Sequence, residues 1–349
     1  AVPLRDVGRG ESVSIRGRTN TAHEDIPFGH KIALADIRAG EHKIKYGYPI
    51  GHASRDIQAG CHVHTQNLAT NLSGTSTYSY TPKPASTAAP DGLADSFAGY
   101  VREDGRVGIR NEIWILPTVG CVNQTARILQ ERGQARFGAL CDGIYAFPHT
   151  AGCSQLVDDH KTAQKILAGL ANHPNAGGVL ILSLGCENNN LDAFKPLLGA
   201  TDPNRVKFLV AQDCEDEIAE GLRLLEELVS RIKSEKRQQV SARTLTLGFK
   251  CGGSDAFSGI TANPLCGRIC DAVTARGGRA ILTEVPEMFG AETILMERAN
   301  DKATFDKVVA LINGFKQYYL DYGQPIYENP APGNKAGGIT TLEPADRAG

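Results

Sequence analysis

Four cysteines in this chain each stand where an apolar, strand-like run stops. The run 113–119 ends in Gly120-Cys121, and the run 144–147 leads through Pro148-His149-Thr150 to Gly152-Cys153. The run 179–184 ends in Gly185-Cys186, and the run 245–249 leads to Cys251-Gly252-Gly253. In open α/β sheets, ligands bind beyond the carboxyl ends of the strands. If these runs share one parallel sheet, four thiols converge on one site. A free cysteine is otherwise a small buried hydrophobe. Equivalent strand-end positions, three of them directly after glycine, point instead to a redox-sensitive or iron-binding centre, because thiolates select iron, zinc and copper.

The chain's 349 residues are enough for two or three domains. A formal net charge of −2 gives no basic footprint for nucleic acid. No apolar run reaches the length of a membrane span. The opening AVPLRDVGRGES has neither a basic n-region nor an apolar h-region. Nine cysteines, an odd number scattered along the sequence, favour a reducing compartment over a disulfide framework. The expectation is a cytoplasmic protein acting on a small molecule, with no nucleic-acid or membrane partner. Whether it forms a homo-oligomer is left open.

Organisation changes along the chain. Residues 1–72 read as all-β, with short apolar pieces between turn signals. Asp36-Ile37-Arg38-Ala39-Gly40 and Asp56-Ile57-Gln58-Ala59-Gly60 echo each other, and Asp25-Ile26-Pro27-Phe28-Gly29 is a looser copy. Such spacing suits a compact β-barrel or clip. Residues 73–97, rich in Ser, Thr, Pro and Ala, read as a linker unable to bury a core. From residue 98 strands and helices alternate, which implies largely parallel sheet covered on both faces, in parts spanning 98–240 and 241–349. Helices are expected at 123–132, 155–171, 215–236 and 302–320, and further strands at 206–211 and 279–283. Pro117 argues that its strand lies at an edge or ends early.

Several phrases carry chemistry. His149-Thr150-Ala151-Gly152-Cys153-Ser154 runs toward a helix that Ser154 can cap, leaving an N-terminal anion site; a plain capped helix accounts for it equally. His160 could serve as ligand or base, though an exposed histidine is the simpler reading. Gly185-Cys186-Glu187-Asn188-Asn189 groups a thiol, a carboxylate and an amide after a buried strand. Cys251-Gly252-Gly253-Ser254-Asp255 and the following turn to Asn263 form a glycine-rich loop whose N–H groups can cradle a carboxylate or hydroxyls. It is neither a P-loop nor a dinucleotide fingerprint. Glu284 and Glu287 could bind metal or sugar hydroxyls, or simply face solvent. Lys335 lies in Gly333-Asn334-Lys335-Ala336-Gly337-Gly338, where it could neutralise a substrate carboxylate or act as a base. His62 and His64 share one strand face and, with His30, could hold a divalent metal.

Together these phrases resemble the altronate/galactarate dehydratase family. The carriers are GYVREDGRVGIRNEIWILPTVGCVN (99–123), HTAGCSQLVDDH (149–160), HPNAGGVLILSLGCENN (173–189), CGGSDAFSGITANP (251–264), TEVPEMFGAE (283–292) and QPIYENPAPGNKAGGITTLE (324–343). GCSQL, GCENN and EVPEMFGAE look like the altronate branch. The resemblance implies an α/β protein: an N-terminal β-clip of the SAF type followed by Rossmann-like α/β domains. It also implies dehydration of D-altronate to 2-dehydro-3-deoxy-D-gluconate in hexuronate breakdown, with a divalent metal, Fe2+ usually and Mn2+ also. A related sugar acid such as galactarate, a non-catalytic sugar-acid-binding fragment and a structural zinc protein are the alternatives.

The sequence departs from the family pattern. Gln66 stands where a third histidine is expected after His62-Val63-His64, and Val157 replaces a glycine. The chain begins just after a His-x-x-Asp-Asn phrase, and relatives continue for a domain-sized segment beyond Gly349. If that segment completes the site, this chain binds a sugar acid without turning it over.

Dehydrating a 2,3-dihydroxy acid removes the C2 proton and the C3 hydroxyl, and a Lewis acid assists both. Cys121, Cys153, Cys186 and Cys251 are the first ligand candidates, with His30, His62 and His64 as the alternative site. The spacing leaves a single iron or an iron–sulfur cluster open. His149 is the first candidate base and Lys335 the second. Arg110, Asn111, Ser154, Ser254, Asp255 and Asn263 are the candidate substrate contacts.

Overall fold

The repeated Asp-Ile phrases work as reciprocal caps. In a computed structural model that describes residues 1–341 apart from 16, 46–47, 84–93, 254 and 329–330, the Asp36 carboxylate accepts the Ala59 N–H and the Asp56 carboxylate accepts the Ala39 N–H, each at 2.8 Å. Asp6 and Asp25 do the same for Phe28 and Arg9. The pairing makes residues 6–10 a further copy of the phrase, one that the sequence pattern does not reveal. Isolated bridges Val7 to Ile26 and Ile37 to Ile57 close each pair. Each half has its own small core, Val7, Ala22, Ile26 and Ile32 in one, Ile37, Ile50, Ile57, Val63 and Leu68 in the other. The clip is thus two copies of one motif.

The chain divides into two compact units, Ala94–Leu245 and a second made of Ala1–Leu93 with Thr246–Gly349. The clip therefore shares a unit with the last hundred or so residues, which the order of segments along the sequence does not reveal.

The expected linker is only partly one. Leu72, Tyr78 and Tyr80 pack against a core of Phe289, Met296, Phe305, Ile312 and Ile326. Tyr78 donates to the buried Glu292 carboxylate, which the buried Lys316 ammonium also contacts at 2.8 Å. Asn313 makes two hydrogen bonds to the Ser76 backbone. Two tyrosines within a polar stretch supply burial that its average composition hides. The rest of that stretch, 84–93, lies outside the described residues, and 96–97 already belong to strand Ser96–Val101.

The unit Ala94–Leu245 is a doubly wound sheet. Strands Glu112–Pro117, Ile144–Ala146, Ala176–Ser183 and Val206–Val210 are all parallel, with Ile144–Ala146 outermost beside Glu112–Pro117, then Ala176–Ser183, then Val206–Val210. Pro117 is thus in an inner strand, and the strand ends there. Alternation divides its side chains: Ile113 and Ile115 join the core under helices Asn123–Phe137 and Glu217–Ile232, while Trp114 and Leu116 join the core under helix Val157–Ala171. Every residue of Ala176–Ser183 is buried, as an inner parallel strand covered on both faces requires. Leu247 and its neighbours in Thr246–Phe249 pair with Arg279–Leu282 in a separate two-stranded parallel sheet.

Gly60 sits at φ +87°, and a Cβ there would lie 2.1 Å from the Thr21 carbonyl; Gly10, at φ +83°, has open space around it. Gly10→Ala is expected to cost about 1 kcal/mol through the left-handed backbone alone. Gly60→Ala adds a backbone clash and is expected to cost at least about 3 kcal/mol. Urea unfolding of the two variants measures the difference; equal losses would contradict the packing described.

Candidate functional site

Order reverses in the four-stranded sheet between Glu112–Pro117 and Ala176–Ser183, which is where doubly wound sheets bind ligands, at the carboxyl ends. Three of the four cysteine loops gather there. Gly120 N–H donates to Ala151 O at 2.8 Å, Asn188 N–H to Cys153 O at 3.1 Å, and Asn123 exchanges two 2.9 Å hydrogen bonds with the His149 backbone. Cys121, Cys153 and Cys186 are all exposed. Cys214, after the fourth strand, turns inward and packs on the core.

Beneath this rim lies a polar floor. Glu187 is 2% exposed. Its carboxylate accepts from Ser183 Oγ at 2.6 Å, Leu184 N at 3.1 Å, Gly185 N at 2.7 Å, and also from Thr118 Oγ1. Burial pushes its pKa up, but these donors outweigh burial and hold it below the ordinary glutamate value. Asn189 accepts from Gln164 and donates to Thr118 O. Of the strand-end phrase, then, Cys186 and Asn188 are exposed, while Glu187 and Asn189 brace the loops.

His149 Nδ1 accepts the Ala151 N–H at 3.0 Å. The same nitrogen lies 3.1 Å from Ala151 O, so either tautomer makes a bond to the Ala151 backbone.

The other residues expected at the site fall elsewhere, and each for a physical reason. Arg110 and Asn111 precede strand Glu112–Pro117 and so sit at the amino end of the sheet. Asn111 is buried; its side chain accepts from Arg102 Nη1 and donates to Ile232 O, while Arg110 gives its carbonyl to Arg102 Nη2. The Asn111 side chain is thus occupied in bracing, while that of Arg110 is exposed. Ser154 does not cap the following helix, which starts at Val157 with Leu156 as its uncapped N-terminal neighbour. Ser254 lies outside the described residues. Asp255 closes its own turn by accepting from Phe257 N and Ser258 N. Asn263 stands in the first turn of helix Ala262–Ala275.

Cys251 belongs to the other unit, so the four cysteines do not sit on one sheet. Its N–H donates to Glu284 Oε2 at 2.8 Å, and Lys250 pairs with Oε1 of the same carboxylate at 3.0 Å. Glu284 adopts φ +62°, the only non-glycine residue in the left-handed region among those described. That strain holds the ends of two strands together.

The unit containing Cys251 holds the densest cluster of ionisable rings. His30, His62 and His64 lie with ring centroids 4.9–5.4 Å apart. His30 Nε2 donates to Ala336 O at 2.9 Å, which leaves Nδ1 a lone pair facing His62 Nε2 at 2.9 Å. His64 Nε2 donates to Lys335 O at 2.8 Å, leaving its Nδ1 to accept from Thr65. Gln66, in place of the expected third histidine, approaches His62 Nδ1 at 3.5 Å. Burial, then the neighbouring rings His30 and His64, lower the His62 pKa to about 4, and burial lowers that of His64. Both shifts keep His62 and His64 unprotonated at neutral pH, the form that can ligate. Lys335 Nζ approaches Glu328 at 3.6 Å.

Lys31, which the sequence motifs did not single out, joins them. It is 4% exposed and donates to Gly338 O at 2.7 Å. Burial, and then Lys45, lower its pKa to about 7. The signal was available in the histidine-lysine phrase at His30.

Among the described residues, no group of three or more His, Cys, Asp or Glu side chains is placed to hold a metal ion. The thiols are spread over two units. The imidazoles are packed together, and His30 and His64 each give one N–H to a backbone carbonyl, the arrangement that orients ligating histidines.

Three family profiles match this chain: the altronate/galactarate dehydratase SAF domain over residues 1–71, the D-galactarate dehydratase/altronate hydrolase second domain over 99–233, and the D-galactarate/altronate dehydratase C-terminal region over 242–345. Altronate dehydratase of Escherichia coli K12 is 51% identical over 346 residues, covering 98% of this chain and 70% of the relative. Altronate dehydratase of Bacillus subtilis 168 is 50% identical over 342 residues, covering 97% and 69%. Galactarate dehydratase (L-threo-forming) of Escherichia coli K12 is 29% identical over 349 residues, covering 91% and 64%.

Glu187→Gln keeps the shape of the side chain but turns an NH2 toward backbone donors. It is expected to cost about 2 kcal/mol at pH 7. Because the folded carboxylate has the lower pKa, its contribution is present above the unfolded value of about 4.3 and fades as pH falls through the folded one. Unfolding curves of wild type and variant should therefore converge below about pH 4; a constant gap would contradict an ionised Glu187.

Proposed function

Because the chain belongs to the D-galactarate dehydratase/altronate hydrolase family, we propose that it removes water from D-altronate, giving 2-dehydro-3-deoxy-D-gluconate in hexuronate breakdown. The observation that carries this is the 51% identity with an altronate dehydratase along nearly the whole chain, against 29% with a galactarate dehydratase. The protein is a carbon–oxygen lyase with a small-molecule substrate. No helix among the described residues is long and apolar enough to cross a membrane. All nine cysteines are free, which supports a reducing, cytoplasmic setting.

His30, His62 and His64 are the residues that would hold a divalent metal, Fe2+ first and Mn2+ second. Neutral imidazole suits both iron and the fixed tautomers found here. When bound, such an ion supplies Lewis acidity that offsets charge at the substrate carboxylate and eases departure of the C3 hydroxyl. Lys335, half-buried on the segment whose carbonyls orient the histidines and paired with Glu328 at 3.6 Å, is assigned to neutralise the substrate carboxylate.

An anaerobic assay with D-altronate or galactarate and Fe2+, following 2-keto acid formation, tests the reading. We expect kcat/KM for D-altronate to exceed that for galactarate by at least about 100-fold, as a site that pairs each hydroxyl stereospecifically allows, and chelator to abolish turnover. Equal use of both acids, or turnover that survives chelation, would overturn it.

A further inference from the structure

Helix Lys302–Asp321 carries two apolar stripes, and the core uses one of them. Phe305 and Ile312 are buried in it, and Val309 and Tyr319 pack alongside. The chain before residue 80 lies on the next flank, where Asn313 holds the Ser76 backbone and Tyr78 meets Lys316. The second stripe is Val308, Leu311, Phe315, Tyr318 and Tyr322. Its steps of three and four keep these side chains in one line along the helix. Val308 and Phe315 touch the core with one edge. Leu311, Tyr318 and Tyr322 are 51%, 56% and 71% exposed. The rings of Phe315, Tyr318 and Tyr322 form a ladder, with successive centroids 5.8 and 5.0 Å apart. Single exposed apolar residues are ordinary. A line of them over about four turns, spaced like a coiled-coil seam, is a surface shaped for another helix.

The residues along the open side of the seam say which helix. Gly314 is exposed there, and a Cβ on it would meet nothing within 4 Å, so a second backbone has room to approach. Lys307 stands seven residues before Gly314 and Asp321 seven residues after it, both exposed and both on the Gly314 side of the seam. When a second copy of the helix is turned end for end near Gly314, each feature finds its complement. Leu311 of one copy lies against Phe315 of the other, and Val308 against Tyr318. Lys307 comes beside Asp321, and symmetry makes that ion pair twice.

We propose that the chain pairs with a second copy of itself through this seam, as an antiparallel helix pair whose two-fold axis passes near Gly314. Such a contact uses the same patch on both copies and closes at two. Tyrosine suits it, because the ring buries apolar area while the hydroxyl stays at the wet rim. The pairing does not depend on which sugar acid the protein takes.

The test is sedimentation of the full chain under reductant, from about 1 to 100 μM. Wild type is expected to dimerise with a dissociation constant of about 10 μM or below, the weak end for interfaces of ordinary size. Leu311→Asp should weaken the dimer at least about 100-fold. Lys307→Asp and Asp321→Lys should each weaken it about 10-fold, since each sets like charges face to face. The double variant Lys307→Asp/Asp321→Lys should recover wild-type affinity to within about 3-fold. All these positions are exposed, so melting temperatures should stay at the wild-type value; should Leu311→Asp not fold, the charge reversals decide alone. A monomeric wild type at about 100 μM, a dimer insensitive to the single reversals, or a double variant no tighter than the singles would each overturn the proposal.

Discussion

Three backbone carbonyls at one turn, those of Lys335, Ala336 and Gly338, receive the side chains of His64, His30 and Lys31. These contacts join residues about 300 apart in sequence, such as the pair separated by 306. They fix which ring nitrogen of each histidine carries the proton, so the remaining lone pairs have defined directions. They also pin an ammonium group inside a small β-clip. The short helix Pro332–Ala336 ends at this turn, and helix carbonyl ends favour donors and cations. The packing of the ring cluster and the burial of Lys31 beside it follow from these bonds.

The doubly wound unit solves a different problem with the same means. Its crossover point needs several loops held still above a hydrophobic sheet. A single ionised carboxylate, Glu187, does this by collecting two hydroxyls and two backbone N–H groups, and Asn123 and Asn189 tie the flanking loops. The exposed thiols and His149 are thereby carried on a braced rim. Both units place polar side chains against backbone groups at strand ends, where the ladder no longer satisfies them.

Much of the fold was legible. Apolar runs closed by Gly-Cys marked three strands of one parallel sheet, and the Asp-Ile echoes marked a duplicated clip. What stayed hidden depended on partners distant in sequence. Asn111 looked like a ligand contact until Arg102 and Ile232 took its side chain. Ser154 looked like a cap, but Leu156 precedes the helix. The polar stretch after residue 72 concealed Tyr78 and Tyr80, whose burial needs the helices Glu292–Glu297 and Lys302–Asp321. Cys251 follows a strand like the others, but nothing local says which sheet that strand joins.

The central claim is that imidazole nitrogens of the clip, and not the strand-end thiols, hold the divalent metal. Electron spin-echo spectroscopy of the full chain loaded with Mn2+ tests it most directly. The account predicts nitrogen couplings from coordinated imidazoles that are lost in His62→Ala and retained when Cys121, Cys153 and Cys186 are changed together to serine. Absence of nitrogen coupling in the wild type, or its survival in His62→Ala, would contradict it.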